Sequence, residues 1–587
     1  MKHNVLLVYP EIPTTYWSFK YAMPFINKKS TMPPLGLMTV AALLPDNYNL
    51  KLVDMNVSEL TEQAVKDADI VFVSAMIVQK NSFADVIKLC KKCKTPVAAG
   101  GPYPSSSYKE IEGVDYFILN EAEVTLPEFI KDFENGSPKK IYTTDIKPDI
   151  TKTPAPRLDI IPNVNDYAFL ALQYSRGCPF NCEFCDIIEM LGRTQRSKET
   201  EQFISEMEAV YNTGFRGSLF IVDDNFIGNK TKVKDLLRAI IVWQKERNFP
   251  FYLFTEASIN LSHDDELLDL MAEAAFFAVF VGIESPDAAT LALTQKKQNL
   301  REDILENVIK IQKRGIEVYG GFIVGFDSDP ENIFEMQIDF IQKAAIPTAM
   351  IGLLTALPNT QLYRRLMSEG RLTGELKGNN THDFELNFIP KMPKEKLFKG
   401  YKHIISEIYN PRNYFERCYT LLNRLPQIQV STRKLYWDDF KALVLSLIKQ
   451  GFSSYGLIYF KFLIKVLIHR RVMFSQAVNL AVKGYHFFRI THEIIKAEEF
   501  SAMLEERMSN LREEIAEILH KGNTLIASKM EKYKSEMQVT TGKKYRQMNR
   551  DMQIYLNERL NKFEKYCDSH ISQWKEKLHF PDKREGN

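Results

Sequence analysis

Cysteine is scarce in this chain, with seven in 587 residues. So low a count excludes a disulfide framework and fits a reducing compartment. An excess of charge of one sign is also missing: Lys+Arg 76 against Asp+Glu 74 leaves a net charge of +2. No global field therefore argues for nucleic acid, and none is expected as a partner. Long apolar runs are absent as well. The longest uncharged stretch, Ala344 to Tyr363, contains Pro347, Pro358, Asn359 and Gln361, which suit a buried strand running into a loop rather than a membrane span. The opening MKHNVLLVYPEIP holds an apolar run of five residues, too short for a signal peptide, so a cytoplasmic location is expected. No G-x-G-x-x-G follows the first apolar run, which argues against a generic dinucleotide site. What remains is a globular composition, 45% hydrophobic and 26% charged, on a chain long enough for two or three domains.

Residues 1–135 alternate short apolar runs (NVLLVY, LKLVD, DIVFVSA, PVAAGG, VDYFIL) with helical patterns, which predicts an α/β, doubly wound, Rossmann-like parallel sheet. Ligands of such sheets bind at the carboxyl ends of the strands, so Asp54-Met55-Asn56, Ser74-Ala75-Met76 and Gly100-Gly101-Pro102 are candidate loops. Residues 136–167 are polar and Pro-rich and read as a linker. From 168 to 365 six strand candidates (FLALQYS, LFIVDD, FYLFTEA, FAVFVGIE, VYGGFIVGF, MIGLLTAL) alternate with helices, predicting a partial (β/α)6 TIM-like barrel. A mixed α/β extension is expected over 366–430, a basic, aromatic-rich helical region over 431–490, and a charged helical tail over 491–587. In the tail Leu504, Met508, Leu511, Ile515 and Ile518 have the spacing of a short coiled-coil seam.

Cys178, Cys182 and Cys185 fall within eight residues, directly after the first barrel strand. Three thiolates on one loop can converge on a soft metal centre. A closed zinc site needs a fourth ligand, and no other Cys or His lies nearby; three ligands suit a four-iron cluster with one iron left open. Zinc and incidental cysteines remain the alternatives at this point. Cys90 and Cys93 form a C-x-x-C inside a helical pattern beside Lys91 and Lys92, where incidental placement is favoured.

The motif C-x3-C-x2-C, with aromatic Phe184 before the last cysteine, resembles the signature of radical S-adenosylmethionine enzymes. The resemblance implies a 4Fe-4S cluster whose open iron chelates S-adenosylmethionine and, on electron transfer, yields a 5′-deoxyadenosyl radical. A reduced flavodoxin or ferredoxin would be the electron donor. Successive strand ends match the family's cofactor positions. Asp223, Asp224 and Asn225 stand where the family often carries Gly-Gly-Glu for the methionine ammonium, followed by Glu256 and Ser258. Glu284 and Ser285 come next, at a ribose position, and Gly325 and Phe326 lie in the segment that flanks adenine.

The first domain resembles the cobalamin-binding module often fused ahead of this barrel. Ser74 and Gly100, 26 residues apart, match its two loops around the nucleotide tail, so Ser74, Ala75, Met76, Gly100, Gly101 and Pro102 are the candidate cobalamin contacts. The module's Asp-x-His-x-x-Gly motif is altered, with Asn56 where the cobalt-ligating His would stand. Asn120-Glu121-Ala122-Glu123 lies near a Gly-Glu-Gly-Glu-like family position.

The segments GCPFNCEFCDI, LGRTQRSKE, FIVDDNFIGN and GGFIVGFDSDPEN resemble the hopanoid C-2 methylase-like lipid methylases. That resemblance implies methylation of an unactivated carbon: the deoxyadenosyl radical removes hydrogen, methylcobalamin delivers the methyl group, and a second S-adenosylmethionine restores it. A hydrophobic or lipid substrate is expected. Between Arg433 and Arg489 ten Lys/Arg face two acids in aromatic-rich sequence, which suits peripheral contact with the inner face of a membrane. An ordinary helical core with basic faces is the competing reading, and residues 491–587 are assigned to self-association or partner binding. Two other functions stay open: a non-methylating radical rearrangement or cyclisation, and a catalytically silent membrane-associated scaffold.

Overall fold

The computed structural model describes residues 2–374, 386–426, 437–520 and scattered positions between 553 and 569. Contacts divide the chain into two units, Met1–Phe487 and Phe488–Asn587.

The first unit opens with β1 (Asn4–Tyr9), β2 (Asn49–Asp54), β3 (Ile70–Ser74), β4 (Val97–Gly100), β5 (Tyr116–Ile118) and β6 (Ile141–Tyr142), paired in the order β2-β1-β3-β4-β5-β6. Every pairing is parallel. Val5, Leu6, Leu7 and Val8 of β1 are all buried, as a strand covered by helices on both faces requires. The order reverses between β1 and β3, so their carboxyl ends flank the crevice where such sheets take ligands. The stretch read as a linker supplies the edge strand β6, which pairs with β5.

A second sheet of six parallel strands follows. Its members are β7 (Phe169–Leu172), then, after a small antiparallel pair β8 (Ser175–Arg176) and β9 (Arg196–Ser197), β10 (Gly217–Ile221), β11 (Phe251–Glu256), β12 (Phe276–Glu284), β13 (Glu317–Val324) and β14 (Ala349–Leu353). The strands neighbour one another in sequence order from β7 to β14, and the two edges do not pair with each other, which makes an open half-barrel. The six apolar runs read from the sequence are these six strands. Three intervening helices start on an aspartate that accepts from the first turn: Asp264, Asp287 and Asp303. Alternation along the strands sorts the side chains. Leu219, Ile221, Phe251, Leu253 and Thr255 are buried, while Phe220, Tyr252, Phe254 and Glu256 on the other face are half-buried and look into the open side of the half-barrel.

Beyond β14 the described chain is helical. The 366–430 region, expected to mix strand and helix, contributes helices Lys394–Ile408 and Pro411–Arg424 and a single antiparallel bridge, Leu372 with Phe388. Arg417 is fully buried and donates to the carbonyls of Ile346 (3.1 Å) and Ile408 (2.6 Å) and to Gln342 (3.1 Å). A buried guanidinium satisfied in this way locks the helix onto the half-barrel's end. Two amphipathic helices, Trp437–Gly451 and Gly456–His469, precede a long helix, Phe474–His520. The side chains of the expected seam, Leu504, Met508, Leu511, Ile515 and Ile518, lie outside the described residues.

Candidate active site

The chain leaves β7 and crosses the rim of the half-barrel into the loop carrying Cys178, Cys182 and Cys185. Gly177 makes that crossing at φ +90°, and a Cβ there would come within 2.8 Å of the Thr194 carbonyl oxygen, so only glycine fits. The loop is pinned from several sides. Cys178 N–H donates to the Gly192 carbonyl (3.2 Å) and Glu183 N–H to the Thr294 carbonyl (3.2 Å). Asn181, Gln295 and Gln361 form a closed ring of carboxamide hydrogen bonds of 2.7, 3.1 and 3.0 Å. Gln298 Nε2 donates to Cys182 Sγ at 3.6 Å.

All three cysteines are free thiols, Cys182 buried and the other two half-buried. Burial pushes the Cys185 thiol up to about 12 and raises Cys178 as well, so thiolate charge on this loop calls for a bound metal. Among the described residues no three His, Cys, Asp or Glu side chains converge as the ligands of a single ion would. A cuboidal cluster takes each thiolate on a different iron, so its donors stand apart, and the donor set of this loop fits it. The other described cysteines, Cys90, Cys93 and Cys418, lie in helices elsewhere. Cys567 lies outside the described residues.

The strand-end residues singled out from the sequence gather on the same rim but have different duties. Asp223 is buried and has both oxygens engaged, accepting from Tyr174 N–H (2.7 Å) and Ser175 Oγ (2.5 Å). Its duty is therefore to fix the chain leading into the cysteine loop. Asp224 accepts from Gly177 N–H (2.9 Å) and is half-buried. Asn225 Oδ1 accepts from Ser258 N–H (3.2 Å) and Ser258 Oγ (3.3 Å), joining β10 to the turn after β11. Glu256 looks into the open side; burial first, then the charges of Asp224 and Asp223, push its carboxyl up to about 7. Burial also pushes Asp223 up to about 7. With both Asp223 oxygens engaged, Asp224 and Glu256 are the carboxyl groups left on this rim whose chemistry suits a cation.

Glu284 adopts φ +66° and pairs with Lys296 at 2.8 Å, both side chains largely buried. Ser285 is buried and its Oγ accepts from Asp287 N–H at the head of the next helix. Gly325 turns at φ +106°, where a Cβ would approach Leu397 Cδ2 at 3.2 Å. Asp329 accepts from both Gly325 N–H (2.7 Å) and Phe326 N–H (3.0 Å). Phe326 meets Phe184 of the cysteine loop with ring centroids 5.7 Å apart, so two residues far apart in sequence form one apolar wall.

On the first sheet the two expected cobalamin loops are neighbours. Ser74 pairs with Gly100 in the ladder, and Tyr103 N–H donates to the Ala75 carbonyl (3.0 Å). Gly101 has φ +87°, and a Cβ there would lie 2.4 Å from Ser74 Oγ. Pro102 opens the short helix Pro102–Ser107, and Met76 is 36% exposed beside it. A backbone surface this bare suits close approach of a large planar or nucleotide ligand. Asn56 offers cobalt nothing. Its Oδ1 accepts from Ile12 N–H (2.8 Å), and its Nδ2 donates to Asp54 (2.7 Å) and the Pro10 carbonyl (3.3 Å). Asp54 is itself buried and accepts from Tyr167 OH (2.9 Å).

Several site residues carry little signal in the sequence alone. Glu121 receives Arg176 (2.8 Å) and Arg196 (2.9 Å), and Arg176 also reaches Glu123 (2.7 Å), all four side chains largely buried. This network ties the first sheet to both ends of the excursion that carries the cysteines. Lys296 and Gln298, which approach the cysteine loop, belong to an unremarkable polar stretch, TQKKQN. The segment NEAE is the nearest thing to a visible sign of the network.

Comparison with known proteins agrees with this geometry. Residues 25–130 match the B12 binding domain family, 172–341 the radical SAM superfamily, and 360–499 a domain of unknown function, DUF4070. An uncharacterized methyltransferase of Synechocystis is 39% identical over 534 residues, 90% of this chain and 99% of that protein. The hopanoid C-2 methylase of Rhodopseudomonas palustris is 35% identical over 419 residues, 70% of this chain and 78% of that protein. Among solved structures, the cobalamin-dependent S-adenosylmethionine radical enzyme OxsB, with aqua-cobalamin and S-adenosylmethionine bound, shares the fold. Its TM-score is 0.55 at 15% identity, over 86% of this chain and 81% of that one.

Proposed function

The chain belongs to the cobalamin-dependent radical S-adenosylmethionine methyltransferases, and from that premise we propose that it methylates an unactivated carbon of a hydrophobic, hopanoid- or other lipid-like substrate. When bound, the 4Fe-4S cluster, S-adenosylmethionine and cobalamin supply the radical that removes hydrogen and the methyl group that replaces it. The residues do the rest. Cys178, Cys182 and Cys185 would hold the cluster, with Asp223 and Gly177 fixing the chain that leads into them. Asp224 and Glu256 would receive the cationic end of S-adenosylmethionine, and Phe184 with Phe326 would flank its adenine. Glu284, held by Lys296, would face the ribose, with Ser285 and Ser258 steadying the neighbouring turns. Ser74, Ala75, Met76, Gly100, Gly101 and Pro102 would bound the cobalamin tail, with no histidine from the Asn56 loop.

The lipid-like substrate rests on one observation, the aromatic open face of the half-barrel. Phe220 and Phe254 stack at 4.5 Å, Phe169 meets Phe254 edge-on at 5.0 Å, and Trp17 from the loop after β1 meets Phe280 at 5.4 Å. Away from Glu256 and Tyr252 this surface is aromatic, which would keep water from a radical and suit a hydrocarbon. The relative from Rhodopseudomonas palustris bears the name of a lipid methylase, which supports the same reading. A reduced flavodoxin or ferredoxin would deliver the electron, and the enzyme would work as a peripheral protein at the inner face of a membrane. The deciding experiment supplies the anaerobically reconstituted protein with reductant, methyl-deuterated S-adenosylmethionine and a detergent-dispersed polycyclic lipid. A lipid product bearing the labelled methyl group, with 5′-deoxyadenosine and S-adenosylhomocysteine in equal amounts, is expected. Turnover of a polar substrate in preference to every lipid offered would overturn the substrate class.

A further inference from the structure

The helices Trp437–Gly451 and Gly456–His469 form a pair whose inner and outer faces disagree with their position on the surface. Inward, Ala442, Tyr459, Leu463 and Val466 are buried, Phe462 stacks on Phe415 at 4.8 Å, and Ser446 Oγ and Tyr459 OH share a hydrogen bond of 2.9 Å. The second helix is thus seated on helix Pro411–Arg424, and the first packs on the second and on the turn Met23–Ile26. The outward face of a seated surface helix is ordinarily polar. Here Val444 and Ile448 lie four residues apart on the outer face of the first helix, and Phe452, at the turn, is 90% exposed. Leu457, 88% exposed, Ile464 and Ile468 continue the apolar stripe along the second helix, with Val472 just beyond it.

The charges around that stripe have one sign. From Phe440 to Met473 there are six Lys or Arg and no Asp or Glu. Lys461 and Lys465 flank the stripe at one-turn spacing, and Arg471 stands exposed at its end. We propose that this helix pair is an interfacial anchor that lays its outer face into an anionic lipid bilayer. A second copy of the chain is the poorer occupant, because a two-fold contact would set the basic residues of 440–473 against themselves. Each helix is about 22 Å long at 1.5 Å per residue, short of a bilayer's hydrocarbon core, so the pair lies in the interface and does not cross it. Among the described residues no helix is long and apolar enough to cross a membrane. The anchor is narrower than the whole basic region, since Val478, Leu480, Ala481, His486 and Phe487 of the following helix are buried.

The inference rests on the lipid-substrate reading for its purpose, but its test is independent of turnover. The full chain is mixed with vesicles of phosphatidylcholine alone, or with about a third phosphatidylglycerol, and floated on a density gradient. The unaltered chain is expected to float with the anionic vesicles. A Phe452→Ser/Leu457→Ser/Ile464→Ser variant, and separately Lys461→Glu/Arg471→Glu, should lose partitioning by roughly tenfold or more while melting as the unaltered chain does. Failure of the unaltered chain to float, or equal flotation of the serine variant, overturns the proposal. So does a chain that stays off vesicles but sediments as a dimer that the serine variant dissociates. A chain that methylates lipid in detergent yet never floats sinks the anchor alone; one that floats yet methylates no lipid sinks the substrate reading alone.

Discussion

The two six-stranded sheets are both parallel but have opposite rims. At the carboxyl ends of β3 and β4 stand Ser74, Ala75, Met76, Gly100, Gly101 and Pro102, without a charge among them. At the carboxyl ends of β10, β11 and β12 stand Asp223, Asp224, Glu256 and Glu284, where burial first and then the neighbouring charges push Glu256 up to about 7. A parallel sheet decides where a ligand goes, and the rim residues decide which one. On the proposed reading the bare rim would admit a large ligand by backbone approach, and the acidic rim would receive a small cation. Between them runs the Glu121–Arg176–Arg196 network, which holds the two rims in register.

Removing the acidic rim's chemistry should have the largest effect. Replacing Cys178, Cys182 and Cys185 together by Ala is expected to abolish iron binding and 5′-deoxyadenosine formation, read by iron count and chromatography, while cobalamin binding to the other sheet survives. Loss of both would mean that the rims are not separable. Next, Glu121→Ala takes from largely buried Arg196 its carboxylate partner and from Arg176 one of two, and should cost about 3 kcal/mol in urea unfolding, far more than an exposed pair would.

Glu256→Gln tests the acidic rim more finely. A carboxyl raised by burial and like charge destabilises the fold as pH climbs from its unfolded value through about 7. The Gln variant should therefore be more stable than the parent by about 2 kcal/mol at pH 8, with the difference vanishing near pH 4. The same variant should weaken S-adenosylmethionine binding above pH 7 and flatten its pH dependence, measured by calorimetry on the cluster-loaded protein. On the bare rim, Gly101→Ala forces a Cβ against Ser74 at a positive φ and should cost about 1–2 kcal/mol and weaken cobalamin binding. The smallest effect belongs to Asn56→Ala, about 1 kcal/mol, with the visible spectrum of bound cobalamin unchanged because Asn56 is not a cobalt ligand.

Much of the fold is legible in the sequence because parallel strands buried on both faces read as short apolar runs, and all six barrel runs are strands of the half-barrel. The cysteine triplet is equally plain, since its spacing is local. The linker reading missed β6 because a two-residue edge strand, Ile141–Tyr142, carries too little periodicity to see. Spacing likewise offers no means of dividing Asp223 from Asp224. Adjacent residues point to opposite sides, and only the fold shows that the first is consumed by Tyr174 and Ser175 while the second stands nearer the open side.

By itself the sequence determined the two parallel sheets, the three-thiol loop between strand and helix, and the carboxylates at successive strand ends, all of which depend on neighbours a few residues apart. Tertiary structure alone decided that Arg176 meets Glu121 across 55 residues, that Gln298 reaches Cys182 across 116, and that a basic aromatic segment presents an apolar face outward. Such contacts depend on which surfaces the packed core brings together, and hydrophobic burial, being non-directional, writes no local pattern for them.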